Sequence, residues 1–231
     1  MNEVFVTEIF NSFQGEGPYI GVPSLFVRFF GCNNDCAFCD SKYSTKMNKD
    51  IHRYTFDELV NMIKDSSNHK HVVFTGGEPL LQQEFLEYYF MKTDNHDVEI
   101  ETNGLIYPVN ILKQWHYNVS PKLSNSGNKI SKVYLNALIA NVLRYKIDKR
   151  HFILKFVVDP KTFTSDIQEI FCFLADTRMF NETTYLMPMG KTEEEIKFGI
   201  DFISHEIKRI PFPFVIAPRL HVLVYGNKRG V

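Results

Sequence analysis

The sequence predicts an α/β fold with a predominantly parallel sheet covered by helices, and three observations predict it. Short apolar runs rich in Val, Ile and Phe alternate with longer amphipathic stretches, the rhythm of parallel strands joined by helical crossovers. Turn residues flank each short run, and no repeat, low-complexity tract or Gly/Ser linker interrupts the pattern, so residues 1–231 read as one domain. The motifs able to carry chemistry fall just after the short runs, and parallel sheets gather their sites at the carboxyl ends of strands.

Element by element, residues 24–30 (SLFVRFF) read as a strand leading into a cysteine loop. Thr55-Phe56-Asp57-Glu58 is a capping box opening a helix to about residue 65. Residues 71–75 form a strand, 80–92 a helix, and 97–102 a strand ended by Asn103-Gly104. A helix is expected over 109–115, a strand over 117–120 and a helix over 132–144. Then come a strand at 152–159, a helix at 165–176 and a strand at 184–187. Thr192-Glu193-Glu194-Glu195 repeats the capping pattern and opens a helix to about residue 209; residues 219–225 are expected to form the last strand.

Composition narrows the class. Hydrophobic residues make up 44% and aromatics 14%, with 21 phenylalanines, which suits a packed interior that excludes water. A net charge of −1 gives no reason to expect nucleic acid or an acidic membrane as partner. No apolar run approaches the roughly 18–20 residues that span a bilayer. The N-terminus lacks the basic and apolar regions of a signal peptide, so a reducing cytoplasm is expected, in keeping with clustered thiols.

Cys32, Cys36 and Cys39 are the most informative residues. They offer three soft ligands from one loop, with no fourth cysteine or histidine near enough to close the set locally. Structural zinc and electron-carrier cubanes take four protein ligands. Three leave a metal position open for substrate or cofactor. A zinc site completed by a distant histidine stays open as an alternative. A disulfide does not fit so cramped a loop. Cys172, in the apolar stretch Ile170-Phe171-Cys172-Phe173-Leu174, reads as a small core residue. Thr75-Gly76-Gly77-Glu78-Pro79 ends a strand with two glycines, which allow close backbone approach or positive φ. By itself it is equally an ordinary strand-to-helix turn.

The C-x3-C-x2-C spacing, with Phe38 before the last cysteine and the GGE turn downstream, resembles the signature of the radical S-adenosylmethionine (SAM) enzymes. A narrower resemblance runs nearly the length of the chain. Phe13-Gln14-Gly15-Glu16-Gly17, Gly21-Val22-Pro23-Ser24, Phe26-Val27-Arg28-Phe29, Cys39-Asp40-Ser41, Glu101-Thr102-Asn103-Gly104, Val119-Ser120-Pro121-Lys122 and the tail from Leu220 to Val231 are similar to the 7-carboxy-7-deazaguanine synthase family. That resemblance implies the modified, partial TIM-type (βα)6 barrel of the superfamily. It also implies a carbon–nitrogen lyase of 7-deazapurine biosynthesis, of the queuosine type, converting 6-carboxy-5,6,7,8-tetrahydropterin to 7-carboxy-7-deazaguanine with loss of ammonia. Its cofactors would be a [4Fe-4S] cluster, SAM and Mg2+, its reductant a donor such as flavodoxin, and its assembly a homodimer. SAM would be cleaved reductively to a 5′-deoxyadenosyl radical that takes hydrogen from C6 of the pterin, the hydrogen being recovered later.

Residue roles follow from the same resemblance. Cys32, Cys36 and Cys39 would ligate the cluster and Ser41 the magnesium. Phe38, Gly76, Gly77, Glu78, Ser120 and Lys122 would hold SAM; Gln14, Gly15, Glu16, Arg28, Thr75, His221 and Val231 would hold the substrate. Gln14 and Glu16 carry the donors and acceptors to read a pterin edge, and Arg28 the planar fork for a carboxylate. An arginine within Leu-Phe-Val-Arg-Phe-Phe needs a specific partner, though a surface ion pair would also supply one. Ser41 alone would read as a turn residue, His221 as a satisfied core histidine, and Ser120 with Lys122 as a strand-end turn. Two other functions compete: another radical SAM enzyme, such as a glycyl-radical activase, and a non-enzymatic zinc or iron–sulfur module. Extra cysteines would be expected of the first; metal content separates the second.

Overall fold

The computed structural model describes residues 2–66, 69–93 and 96–231. Its strands are β1 (Glu3–Phe13), β2 (Pro23–Phe29), β3 (His52–Thr55), β4 (His71–Gly76), β5 (Asp97–Thr102), β6 (His116–Val119), β7 (His151–Val158), β8 (Thr184–Pro188) and β9 (Phe214–Ile216). The helices are α1 (Phe56–Ser66), α2 (Gln83–Lys92), α3 (Lys132–Ile147), α4 (Phe163–Thr177), α5 (Glu193–Glu206) and α6 (Leu220–Tyr225). One sheet runs in the order β3-β1-β2-β4-β5-β6-β7-β8-β9. From β2 to β9 every pairing is parallel, while β1 lies antiparallel to both β2 and β3. The sheet is therefore the mainly parallel α/β one expected, extended by two antiparallel strands at one edge.

Period-two alternation separates the two faces of this sheet. Leu25, Val27, Phe29, Val72, Phe74, Val98, Ile100, Tyr117, Val119, Leu154 and Phe156 are buried in one core with Leu59 and Ile63 of α1, Phe85 and Tyr89 of α2 and Ile170 and Phe173 of α4. Many intervening positions of the same strands are polar, namely Ser24 and Arg28, His71 and Thr75, Glu99 and Glu101, His116 and Asn118, and Lys155, with Phe26, Val73, Ile153 and Val157 as apolar exceptions. Buried on both faces yet polar on one, the sheet has to satisfy that polar face by internal pairing or by a ligand.

Both capping boxes form. Thr55 N–H donates to Glu58 Oε2 at 2.7 Å while Glu58 N–H donates to Thr55 Oγ1 at 3.3 Å, and Thr192 with Glu195 closes the reciprocal pair at α5. Most other elements fall within a few residues of expectation, but β3 and β9 have no expected counterpart and several elements differ. The sheet begins at Glu3, not residue 24; β1 hides its alternation behind a register shift between Val6 and Glu8. The helix expected over 109–115 is only a 3-10 turn at Asn110–Leu112, and α2 starts at Gln83 after a 3-10 turn at Pro79–Gln82. Residues 219–225 are not a strand. Arg219 takes a left-handed conformation and Leu220 N–H donates to Gly15 O at 2.8 Å, starting helix α6 despite the β propensity of Val and Tyr. Cys172 is exposed, because α4 buries Ile167, Ile170, Phe173 and Leu174 and position 172 falls off that stripe. No helix of the described residues is long and apolar enough to cross a membrane.

Candidate active site

A cavity of about 520 Å³ opens on the polar face of the sheet toward the carboxyl ends of the parallel strands. Each strand end delivers something to its wall. Arg28 comes from β2 and the cysteine loop follows it; Thr75, Gly76 and Gly77 end β4; Glu101 and Thr102 end β5. Ser120 and Lys122 follow β6, Lys155 and Val157 lie on β7, and Met187 and Met189 end β8. The segment Gln14–Glu16, His221 of α6 and the tail through Val231 complete the wall. Every candidate site residue lines this one cavity except Glu78.

Glu78 is fully buried. Its Oε1 accepts from Leu80 N–H at 3.1 Å and from Thr102 Oγ1 at 2.8 Å, and its Oε2 accepts from Asn103 N–H at 2.8 Å. Burial nonetheless pushes its carboxyl above the usual range. The side chain caps the following turn and ties β4 to β5. Gly77 has its own structural reason: a Cβ there would sit 2.0 Å from Gly31 O, since Glu78 N–H donates to that carbonyl at 2.8 Å. The double glycine lets the end of β4 cross against the start of the cysteine loop.

Cys32, Cys36 and Cys39 are all free thiols. Their loop is pinned by Gly31 N–H to Ser44 O at 2.8 Å and Ala37 N–H to Ser126 O at 2.8 Å. Burial pushes the Cys32 thiol up. Ser41 Oγ lies 3.8 Å from Cys39 Sγ on the same wall. Among the described residues no three His, Cys, Asp or Glu side chains converge on one ion-sized point. Three thiols from one loop, facing a cavity large enough for a nucleoside-sized ligand, suit a cubane with one open iron.

The opposite wall is an ion-pair chain that the sequence reading partly missed. Lys155 Nζ lies 2.5 Å from Glu16 Oε2 and 2.7 Å from Glu101 Oε2. Glu16 Oε1 accepts from Arg219 Nε at 3.1 Å, and Arg219 also pairs with Asp40. Burial alone would raise the Glu16 carboxyl, but Lys155 and Arg219 hold it well below the usual carboxylate range. Burial alone would depress the Lys155 ammonium; Glu101 and Glu16 instead hold it above the ordinary lysine value. Gln14 is spoken for as well: its Oε1 accepts from Gly15 N–H at 2.8 Å and its Nε2 donates to Glu101 at 3.2 Å. A lone Lys within Phe-Ile-Leu-Lys-Phe-Val carried the same signal that singled out Arg28.

Deeper on this face, Asn118 Nδ2 donates to Glu101 Oε1 at 2.8 Å and, closely, to Glu99. Glu99 is fully buried, its Oε2 3.3 Å from His71 Nε2. Burial, with the Glu101 charge beside it, pushes the Glu99 carboxyl up to about 8. Burial also pushes the His71 imidazole down.

Arg28 faces the cavity but is not alone. Its Nε donates to Glu8 Oε1 at 2.6 Å from the directly opposite position on β1. Glu8 Oε1 also accepts from Tyr43 OH at 2.7 Å, and Glu8 Oε2 lies 3.3 Å from Arg229 Nε of the tail. Arg229 reaches Asp50 at 2.8 Å and stacks on Tyr43, which fastens the tail over this side of the cavity. His221 sits where a Cβ on Gly15 would be, 2.0 Å from its Nδ1. Burial pushes that imidazole down.

Residues 26–120 match the family model described as the Radical SAM superfamily. A 7-carboxy-7-deazaguanine synthase of Pyrobaculum aerophilum is 36% identical over 233 residues, covering 98% of this chain and 97% of the relative. One of Halobacterium salinarum is 32% identical over 246 residues, covering 96% and 90%. The crystal structure of QueE from Escherichia coli matches the fold with a TM-score of 0.63 at 22% identity, covering 93% of each chain. With that full-length similarity added to a cavity that unites its shared motifs, the chain belongs to the 7-carboxy-7-deazaguanine synthase family of the Radical SAM superfamily.

Proposed function

We propose that this cavity converts 6-carboxy-5,6,7,8-tetrahydropterin to 7-carboxy-7-deazaguanine with loss of ammonia. The carrying observation is that Gln14–Glu16, the cysteine loop, the Thr75–Gly77 turn, Ser120, Lys122 and the tail all meet on one wall system in a chain similar to such synthases over its full length. Cys32, Cys36 and Cys39 would hold a [4Fe-4S] cluster, which together with SAM would supply the radical chemistry that the rearrangement needs.

The chain's own residues bind, orient and exclude. Arg28 keeps its Nε on Glu8, and among the described residues no hydrogen bond engages its terminal amino groups. In this reading they take the substrate carboxylate as a two-point fork. The side chains of Glu16 and Gln14 are already paired within the protein, and Gly15 is tied through its N–H to Gln14 and its carbonyl to Leu220, so the part of this segment is to fix the Glu101–Lys155 wall where Gly15 and Thr75 border the pterin. Glu78 has no free face toward SAM, so its part is to hold the turn, and SAM is met by the Gly76–Gly77 backbone, Phe38, Ser120 and Lys122. Lys122 Nζ donates to Ser120 Oγ at 2.9 Å, which sets both for a ribose or carboxylate. Ser41, whose Oγ lies 3.8 Å from Cys39 Sγ on the cavity wall, would offer a hydroxyl oxygen to Mg2+, a hard ion suited to oxygen donors. Val157 and Met187 form a small apolar cluster that Phe38 and Met189 join, and all four line the cavity, keeping water off the radical site. His221 and Val231 close the substrate side. A flavodoxin-type reductant, a homodimer and a cytoplasmic location rest on the family resemblance and the sequence alone.

The test is anaerobic reconstitution followed by SAM, a low-potential reductant and the pterin. The expected result is a brown protein with about four irons per chain, forming 7-carboxy-7-deazaguanine and one ammonia per product. SAM cleavage without that product would mark a different radical SAM enzyme. One zinc and no cleavage would mark a binding module.

A further inference from the structure

Two of the three cysteine sulfurs have contacts supplied by their own loop. Cys32 Sγ accepts from Asn34 N–H at 3.4 Å, and Cys39 Sγ lies 3.8 Å from Ser41 Oγ. Cys36 differs. Its Sγ accepts from Asn128 Nδ2 at 3.1 Å, a donor ninety-two positions away in sequence. The orientation of that amide follows from its neighbours. Asp35 N–H can only donate, and it lies 3.0 Å from Asn128 Oδ1, so the amino end must face Cys36 and Ser126 Oγ, the latter at 3.0 Å.

The donor is held rigidly. It sits just past the 3-10 turn at Ser124–Ser126 that follows β6, where Gly127 takes φ 73°. Ser126 is fully buried; its Oγ donates to Leu123 O at 2.6 Å and its carbonyl accepts from Ala37 N–H at 2.8 Å. One short segment therefore grips both sides of Cys36: Ala37 by the main chain, Asp35 and Cys36 by the Asn128 side chain.

We propose that Asn128 is a positioning residue for the iron–sulfur cluster, its side-chain N–H donating to the Cys36 thiolate to raise the cluster's reduction potential while its Oδ1 holds the ligand loop. The physics is charge balance. One-electron reduction adds negative charge that spreads onto the thiolates, and a fixed N–H dipole aimed at one sulfur stabilises the reduced form more than the oxidised one. A low-potential cluster is hard to reduce, so one well-placed donor changes how readily the enzyme is primed. The inference rests on reading the cysteine triad as a cluster site.

The experiment is a potentiometric titration of the reconstituted holoenzyme, followed by electron paramagnetic resonance without substrate. Asn128→Leu keeps a similar size and neutrality but removes the donor. The reduced-to-oxidised ratio at a fixed potential should fall about tenfold, a midpoint about 59 mV lower for a one-electron couple. A full complement of iron with an unchanged midpoint overturns the inference and leaves the cluster reading standing. Failure of the parent protein to bind iron fails the cluster reading itself. Should Asn128→Leu not retain iron, Asn128→Asp keeps an acceptor for Asp35 N–H and loses the donor, but it adds a negative charge beside Cys36, so it is read by its exchangeable couplings and not by its midpoint. In heavy water, the reduced parent should show an exchangeable deuteron coupling that Asn128→Asp lacks. The same set of couplings in both proteins overturns the inference.

Discussion

Arg28 carries the sharpest residue-scale prediction. With Nε bound to Glu8 and the guanidinium facing the cavity, it is pre-oriented for a carboxylate. Arg28→Lys keeps a charge but loses the fork, so pterin binding should weaken by about 1.5–3 kcal/mol, the scale of a charged hydrogen bond. Calorimetry should find SAM binding nearly unchanged; equal loss of both ligands would mean the residue serves only its ion pair. Ser41→Ala removes one oxygen from the wall beside Cys39. Iron content and uncoupled SAM cleavage should survive, while pterin turnover falls and responds less to added magnesium. If removing magnesium from the parent leaves turnover unchanged, Ser41 is only a loop residue. Glu99 predicts a pH effect on stability. Its folded-state carboxyl titrates near 8 against an ordinary value of 4.5, so between those values the folded protein holds a proton that the unfolded chain has released. Stability should then fall as pH rises through that window, by at most roughly 1.4 kcal/mol per unit. Glu99→Gln, still accepting from Asn118, should flatten the slope in denaturant titrations from pH 5 to 8; an unaltered slope would place it on other groups. The residues legible in advance were those in motifs. Lys155 and Arg219 were missed although Lys155, like Arg28, is a lone charge in an apolar strand; what each pairs with was not legible, because their shared partner Glu16 lies 139 and 203 positions away. Asn128 gave no signal, since its role exists only against Cys36.

At the scale of elements, caps, turns and strand ends do the positioning. The Gly76–Gly77 turn packs backbone against backbone, so Gly77→Ala should displace the cysteine loop and lower stability by more than about 1 kcal/mol. Thermal unfolding and iron retention should fall together; retained iron at unchanged stability would show that the loop yields without cost. Strands with clean alternation and helices with capping boxes were readable from sequence because local pattern and tertiary environment agree there. The first strand was not, since a register shift breaks its alternation. The last element misled for the opposite reason. Leu220-His221-Val222-Leu223-Val224-Tyr225 has the β-branched and aromatic content of a strand, yet the bond from Leu220 N–H to Gly15 O and the left-handed Arg219 turn it into a helix. That helix brings Arg219 to Glu16 and His221 to the cavity.

For the whole molecule, the division of labour lies between the two faces of one sheet. The helix-covered face is apolar and supplies stability; the other is polar, internally paired and bears the cavity. The cysteine loop, the β4 turn and the tail reach the same space from opposite ends of the chain. On the proposed function, pterin and SAM react inside this cavity without exchange with water. The direct measurement uses 6-carboxytetrahydropterin deuterated at C6, limiting SAM and ordinary water, with product and recovered SAM analysed by mass spectrometry. The expected result is more than one 7-carboxy-7-deazaguanine per SAM and deuterium in the recovered SAM. Release of the label to water, with none in SAM, would contradict it.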